Sequence, residues 1–230
     1  MKPKAVCLLS GGLDSATCLY AASHEGYDVR ALSIRYGQRH EREIECARAI
    51  AGGLGIAHEI VTISLPWKGS ALLDPAIEIP SGREASQMAS DIPVTYVPAR
   101  NSIFLAVAAS WAETEGASAI FIGANALDYS GYPDCRPGFL QAFERMLEAG
   151  TRAGVEGRPL RICAPLLSLS KKEIILLASS LGVPFEKTWS CYRGGRVPCG
   201  TCDSCLLRIK GFREAGIEDP WTADASSCHS

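Results

Sequence analysis

A run of five apolar residues, Ala5-Val6-Cys7-Leu8-Leu9, passes directly into Ser10-Gly11-Gly12-Leu13-Asp14-Ser15. No other stretch limits the fold as strongly. The apolar run reads as a short buried strand, the two glycines as a turn, and the residues from Ser15 onward as a helix. That order builds an anion site. Without Cβ atoms at 11 and 12 the backbone bends freely, and consecutive N–H groups converge on one point. Ser10 and Ser15 add hydroxyl donors, and the helix aims its positive end at the same place. The spacing lacks the lysine of G-x-x-x-x-G-K-[ST] and the three glycines of G-x-G-x-x-G, so it is neither of the two common phosphate loops.

Downstream, strands and helices alternate. Strands are expected over 4–9, 28–34, 58–63, 119–123 and 160–164, and helices over 15–25, 40–54, 102–115, 137–149, 170–181 and 203–215. The helix from 170 carries its own start signal, Ser170 as cap with Glu173 three residues on. Residues 65–91, rich in proline, glycine and serine, form a long excursion. Such alternation predicts an α/β fold, a mostly parallel, doubly wound sheet with helices on both faces. Residues 1–186 are expected to form the nucleotide-binding domain, and 187–230 a small cysteine-rich segment with a final helix packed on it.

Composition narrows the class. Hydrophobic residues make up 47% of the 230 and charged residues 21%, enough for a full core and against disorder. With 23 basic and 25 acidic residues, no nucleic-acid footprint is visible. No stretch is long enough to span a bilayer, and the first apolar run is too short for a signal peptide. The expectation is a cytoplasmic protein with no membrane or nucleic-acid partner. Its ten cysteines then read as thiols. Four of them, Cys191, Cys199, Cys202 and Cys205, stand as two successive C-x-x-C steps with one cysteine eight residues upstream, among Gly194, Gly195, Pro198 and Gly200. Four thiolates enclose one tetrahedral ion and leave no position for water, so a structural zinc site is expected. An iron–sulfur cluster also accepts four cysteines and is the alternative. Cys7, Cys18, Cys46 and Cys163 read as small core residues.

In doubly wound sheets ligands bind beyond the carboxyl ends of the strands. Three unusual loops fall there: residues 10–15, the segment Arg35-Tyr36-Gly37-Gln38-Arg39-His40, and residues 123–136. Ser-Gly-Gly-x-Asp-Ser resembles the pyrophosphate loop of the ATP pyrophosphatases, the PP-loop enzymes. Further motifs make the resemblance specific. They are Tyr36-Gly37-Gln38, Val97-Pro98-Ala99-Arg100-Asn101, Asp128-Tyr129-Ser130-Gly131-Tyr132-Pro133-Asp134-Cys135-Arg136, Pro165-Leu166 with Lys171 and Glu173, and the four-cysteine segment. Together, in this order and over essentially the whole chain, they resemble the 7-cyano-7-deazaguanine synthase family of queuosine biosynthesis. One departure is visible: Ala99 stands where the family pattern has glycine.

The resemblance implies a ligase that turns 7-carboxy-7-deazaguanine and ammonia into the nitrile, through adenylated acid and amide intermediates, with ATP, Mg2+ and Zn2+, as a homodimer. It places ATP on Leu8, Leu9, Ser10, Gly11, Gly12, Leu13, Asp14 and Ser15, with Gln38 or Arg100 in contact, and puts Lys171 on the phosphates. A guanine-like edge offers two donors that one carboxylate accepts together. Asp128 and Asp134 are candidates for that role, with Tyr132 beside them, and Arg136 or Arg100 for the substrate carboxylate. Lys171, Asp134 and Arg136 are the candidate catalytic residues. Cys135 reads as a plain thiol rather than a nucleophile forming a thioester or thioimidate, since adenylation already supplies the activation and no histidine is adjacent in sequence. Two other readings stay open: a PP-loop enzyme acting on a macromolecule, in tRNA modification or deazapurine attachment to protein, and a zinc-stabilised binding module without turnover.

Overall fold

The structure, a computed structural model, describes residues 2–84, 88, 92–127 and 131–223. Within them the chain forms β1 (Lys4–Leu8), α1 (Leu13–His24), β2 (Asp28–Arg35), α2 (Arg42–Gly53), β3 (His58–Thr62), α3 (Arg100–Glu115), β4 (Ala119–Phe121), α4 (Pro137–Gly150), α5 (Arg152–Val155), β5 (Arg161–Cys163), α6 (Lys171–Ser180), α7 (Asp203–Ala215) and α8 (Pro220–Ala223). All five strands run parallel in the order β3-β2-β1-β4-β5.

The core follows from strand alternation. Successive side chains of β1 point to opposite faces of the sheet. Ala5, Cys7 and Leu9 join Ala16 and Leu19 of α1, Ile50 of α2 and Ile174 of α6 in one apolar cluster. Val6 and Leu8 join Leu105 and Ala108 of α3 and Phe143 of α4 in another. Being covered on both sides is why the first strand reads as an unbroken apolar run.

From β1 the chain builds outward to β2 and β3, then returns to lay β4 and β5 on the other side. The carboxyl ends of β1 and β4 therefore flank the switch in strand order, where such sheets open a crevice.

Several helix starts differ from expectation for identifiable reasons. Helix α2 begins at Arg42 rather than 40, because residues 36–41 close on themselves. The Tyr36 N–H donates to Gln38 Oε1 at 2.9 Å, and Arg35 grips Glu41 with Nε and Nη2. Helix α3 begins two residues early, at Arg100, because a distant carboxylate caps it: Asn101 N–H donates to Asp134 Oδ2 at 3.0 Å. The box at Ser170 forms as read, with Ser170 N–H donating to Glu173 Oε2 at 2.7 Å and Glu173 N–H to Ser170 Oγ at 3.3 Å. The short helices α5 and α8 carried no periodic signal. No helix among the described residues is long and apolar enough to cross a membrane.

Candidate active site

The loop after β1 is shaped by two contacts at its glycines. Gly11 has φ +90°, and a Cβ there would lie 2.1 Å from the Glu43 carbonyl oxygen and 2.8 Å from Ala47 N. Only glycine lets the loop pass this close to α2. Its carbonyl accepts from Trp189 N–H at 2.9 Å, so the cysteine-rich segment is tied to the loop directly. Gly12 caps α1 in extended conformation. The Ser15 hydroxyl accepts from Ser10 N–H at 3.1 Å and donates to the Gly12 carbonyl at 3.0 Å, while Gly12 N–H donates to Ser10 Oγ at 3.2 Å. The hydroxyls hold the turn open, and the first-turn N–H groups of α1 are left for a ligand.

In front of the loop lies a cavity of about 240 Å³. Leu8, Leu9, Ser10, Gly12, Leu13, Asp14, Ser15, Gln38, Arg100, Tyr132 and Lys171 all line it. Thus residues 163 positions apart in the chain share one space. Gly11 lies behind, against α2. Asp134 and Arg136 are not part of the lining: Asp134 is buried and occupied with α3, and Arg136 is exposed at the start of α4. Asp128 lies outside the described residues.

Lys171 is buried, and its Nζ donates to both Asp14 carboxylate oxygens, at 2.7 and 2.8 Å. Its stem is packed under α7, where a Cβ on Gly211 would come within 2.4 Å of Lys171 Cγ. On the facing wall, half-buried Arg100 donates from Nη1 to the Tyr36 hydroxyl at 3.3 Å. Burial works against its charge, but Tyr36, Tyr132 and Asp134 hold its pKa above the usual arginine value. Tyr132 is fixed by Thr95, with hydroxyls 2.7 Å apart. Cys135 also lines the cavity and accepts from Asn101 Nδ2 at 3.3 Å. Burial pushes its thiol up to about 11, so it is a thiol and not a nucleophilic thiolate near neutral pH.

Among the lining residues that went unread in the sequence are Asn125 and Glu43. Asn125 donates from Nδ2 to the Leu166 and Leu169 carbonyls, joining the loop after β4 to the one after β5. Glu43, in the first turn of α2, was indistinguishable from a solvated helix charge. Burial pushes its carboxyl up to about 7, against the opposing pull of Arg100.

The four cysteines converge. The Sγ atoms of Cys191, Cys199, Cys202 and Cys205 all lie within 4.8 Å of one another, with Cys199 and Cys205 3.9 Å apart. Zinc–sulfur bonds of about 2.3 Å in a tetrahedron put sulfurs about 3.8 Å apart, so the set fits one ion. Main-chain N–H groups turn toward the sulfurs, Arg193 and Cys199 to Cys191 and Cys202 to Cys199, at 3.3–3.4 Å. Such donors orient thiolate ligands and offset their charge. The excursion is fastened here as well: Arg83 pairs with Asp203, and Arg193 reaches the Ile79 carbonyl and the Ser81 hydroxyl.

Known proteins resemble this chain. Among solved structures, NMN synthetase from Francisella tularensis superposes with TM-score 0.50 at 14% identity, covering 94% of this chain and 88% of its own. A 4-thiouridine synthetase in complex with RNA and ATP gives TM-score 0.50 at 21% identity, over 93% of this chain and 50% of its own. These likenesses show a shared fold. Sequence relatives are much nearer. 7-Cyano-7-deazaguanine synthase of Anaeromyxobacter dehalogenans is 58% identical over 221 residues, 94% of each chain. That of Trichodesmium erythraeum is 55% identical over 94% of this chain and 99% of its own, and that of Nostoc punctiforme 52% over 94% and 98%. The family model for queuosine biosynthesis protein QueC matches residues 4–216. On that match and those identities, this chain belongs to the QueC family of queuosine biosynthesis proteins.

Proposed function

We infer that this chain is an ATP-dependent C–N ligase, converting 7-carboxy-7-deazaguanine and ammonia into 7-cyano-7-deazaguanine. The observation that carries the reading is the single cavity lined by both the Ser-Gly-Gly-Leu-Asp-Ser loop and the Arg100 guanidinium. A phosphate site and a carboxylate site then share one wall-to-wall space, as adenylation of an acid requires.

A deazapurine carboxylate is a poor electrophile, and ammonia does not displace its oxygen. Attack of that carboxylate on the ATP α-phosphate gives an acyl-adenylate with AMP as leaving group. Ammonia then yields the amide, and a second adenylation, at the amide oxygen, lets AMP depart to leave the nitrile. The loop N–H groups and the hydroxyls of Ser10 and Ser15 receive the departing pyrophosphate. Lys171, held at the cavity by Asp14, supplies charge to the phosphates. Magnesium, carried in on the phosphates, would offset their negative charge. Of the two guanidinium groups, Arg100 is assigned the substrate carboxylate because it lines the cavity. Asp128 is assigned the guanine-like edge, with Tyr132 beside it, since Asp134 already accepts from Asn101. Asp134 then acts by fixing the start of α3, and Arg136, exposed at the start of α4, is the alternative for the substrate carboxylate.

Cys191, Cys199, Cys202 and Cys205 are assigned a structural zinc ion, one tetrahedral centre rather than a wider iron–sulfur cluster. The direct test is mass spectrometry of the protein incubated with 7-carboxy-7-deazaguanine, ATP, magnesium and ammonium. A nitrile product with AMP is expected. No turnover by folded, zinc-replete protein would overturn the reading and direct attention to a macromolecular acceptor.

A further inference from the structure

Among the described residues two carboxylates line the cavity, those of Asp14 and Glu43, and only that of Asp14 accepts a hydrogen bond. Asp14 is bound by Lys171 through both oxygens. Glu43 lines the same cavity, yet no hydrogen bond reaches its carboxylate among the described residues. Its position is not accidental to the loop, because its main-chain carbonyl is packed against Gly11. One residue thus borders the phosphate loop with its backbone and presents an acceptor to the cavity that Arg100 closes from the other side.

We propose that Glu43 is the general base of the amide-forming step, taking a proton from the nitrogen that attacks the activated carboxyl. This rests on the synthase reading above. In the step, the ammonia lone pair forms the C–N bond, and the C–O bond to AMP breaks with its electron pair leaving on the phosphate oxygen. One N–H proton passes to the Glu43 carboxylate, leaving a neutral amide.

The surroundings suit that task. Arg100 faces Glu43 from α3, Tyr36 from the segment after β2, and Cys46 from α2 itself, while the Asp14–Lys171 pair and Cys135 line the same cavity. Removal from bulk water outweighs Arg100 and sets the carboxyl at about 7, where a base is both partly ionised and strong enough to take a proton. His40 lines the cavity as well. It is pressed against Gly194 in the cysteine segment, and burial lowers its pKa.

The test separates adenylation from nitrogen transfer. Carboxylate-dependent pyrophosphate exchange reports the first, and amide formation at constant free ammonia reports the second. For Glu43→Gln, exchange is expected within about threefold of wild type and amide formation down by about 10²–10⁴-fold. Hydroxylamine, unprotonated at neutral pH, should restore acyl transfer as the hydroxamate, and Glu43→Asp should recover part of the ammonia rate. The wild-type amide rate should rise through pH about 7 in step with the carboxyl, and lose that limb with hydroxylamine. An equal fall in exchange and amide formation would make Glu43 a binding or structural residue and overturn the proposal. So would an unchanged Glu43→Gln profile. Should Glu43→Gln fail to fold, the wild-type profiles decide: the same limb with both nucleophiles refutes the base. Absence of any exchange in the wild type overturns the synthase reading itself, and this assignment with it.

Discussion

Replacing Ala99 by glycine should make the protein more stable. Ala99 has φ 55° and ψ 23°, and among the described residues it is the one non-glycine with positive φ. The left-handed conformation costs an L-residue about 1–2 kcal/mol. Ala99 is exposed, so its methyl group buries nothing in return. Its N–H donates to the Tyr96 hydroxyl at 3.0 Å, and its carbonyl accepts from Ile103 N–H at 3.1 Å. Both bonds are main-chain on the Ala99 side and survive in glycine. Against the relieved strain stands the greater freedom of glycine in the unfolded chain, about 0.4–1 kcal/mol. The net gain is about 0.5–1 kcal/mol, or about 1–4 °C in Tm for a chain of this size. Scanning calorimetry of Ala99→Gly measures it, with Ala99→Val as the opposite control, expected to melt several degrees lower. A Tm for Ala99→Gly at or below wild type would refute the reasoning, because it would mean that the turn stores no strain.

Gly11→Ala should lower Tm by several degrees and abolish ATP-dependent turnover, since the new Cβ meets main-chain atoms of α2 at 2.1 and 2.8 Å; Gly12→Ala, with neighbours at 3.3 and 3.5 Å, should be milder in both measurements. Arg208→Met should cost about 3–5 kcal/mol, since it removes the cation that grips the buried Asp219 carboxylate at 2.8 and 2.9 Å, whereas Arg208→Met combined with Asp219→Leu should recover most of the loss in a denaturant melt. Elemental analysis should find one zinc per chain. Its removal by a chelator should weaken nucleotide binding as well as lower Tm, because Trp189 links the cysteine segment to the phosphate loop; equal ATP affinity with and without metal would break that link.

What could be read from sequence was what the chain fixes locally. The Ser170–Glu173 box needs only a four-residue window, and it formed as read. The cysteine cluster declares itself by spacing, and the sulfurs converge. The doubly wound sheet follows from alternation, since each apolar strand had to be covered on both faces. Where tertiary partners decide, the sequence is silent. Nothing near Asp134 says that it caps a helix that begins 34 residues earlier. Glu43 looks like any charge on an amphipathic helix until α3 brings Arg100 across from it. The Ala99 departure was visible as a letter, but its meaning needed a dihedral angle.

The phosphate loop is also less self-sufficient than its motif suggests. Its ends are held by residues from the last third of the chain. Trp189 N–H fixes the Gly11 carbonyl, and Lys171 fixes Asp14. Both anchors depend on the cysteine segment. Cys191 lies two residues beyond Trp189, whose indole N–H donates to the Cys191 carbonyl at 2.8 Å. Cys205 lies on α7 six residues before Gly211, the position that lets α7 close over Lys171. Arg208, on the same helix, reaches Thr188 and the Phe185 carbonyl and so pins the approach to Trp189. Gathering the four cysteines around one ion would therefore set the height of Trp189 and the tilt of α7 together. The loop at residues 10–15 is complete only once residues 171–211 have folded onto it, so an ion held by the four cysteines would have a direct hold on the geometry of the loop.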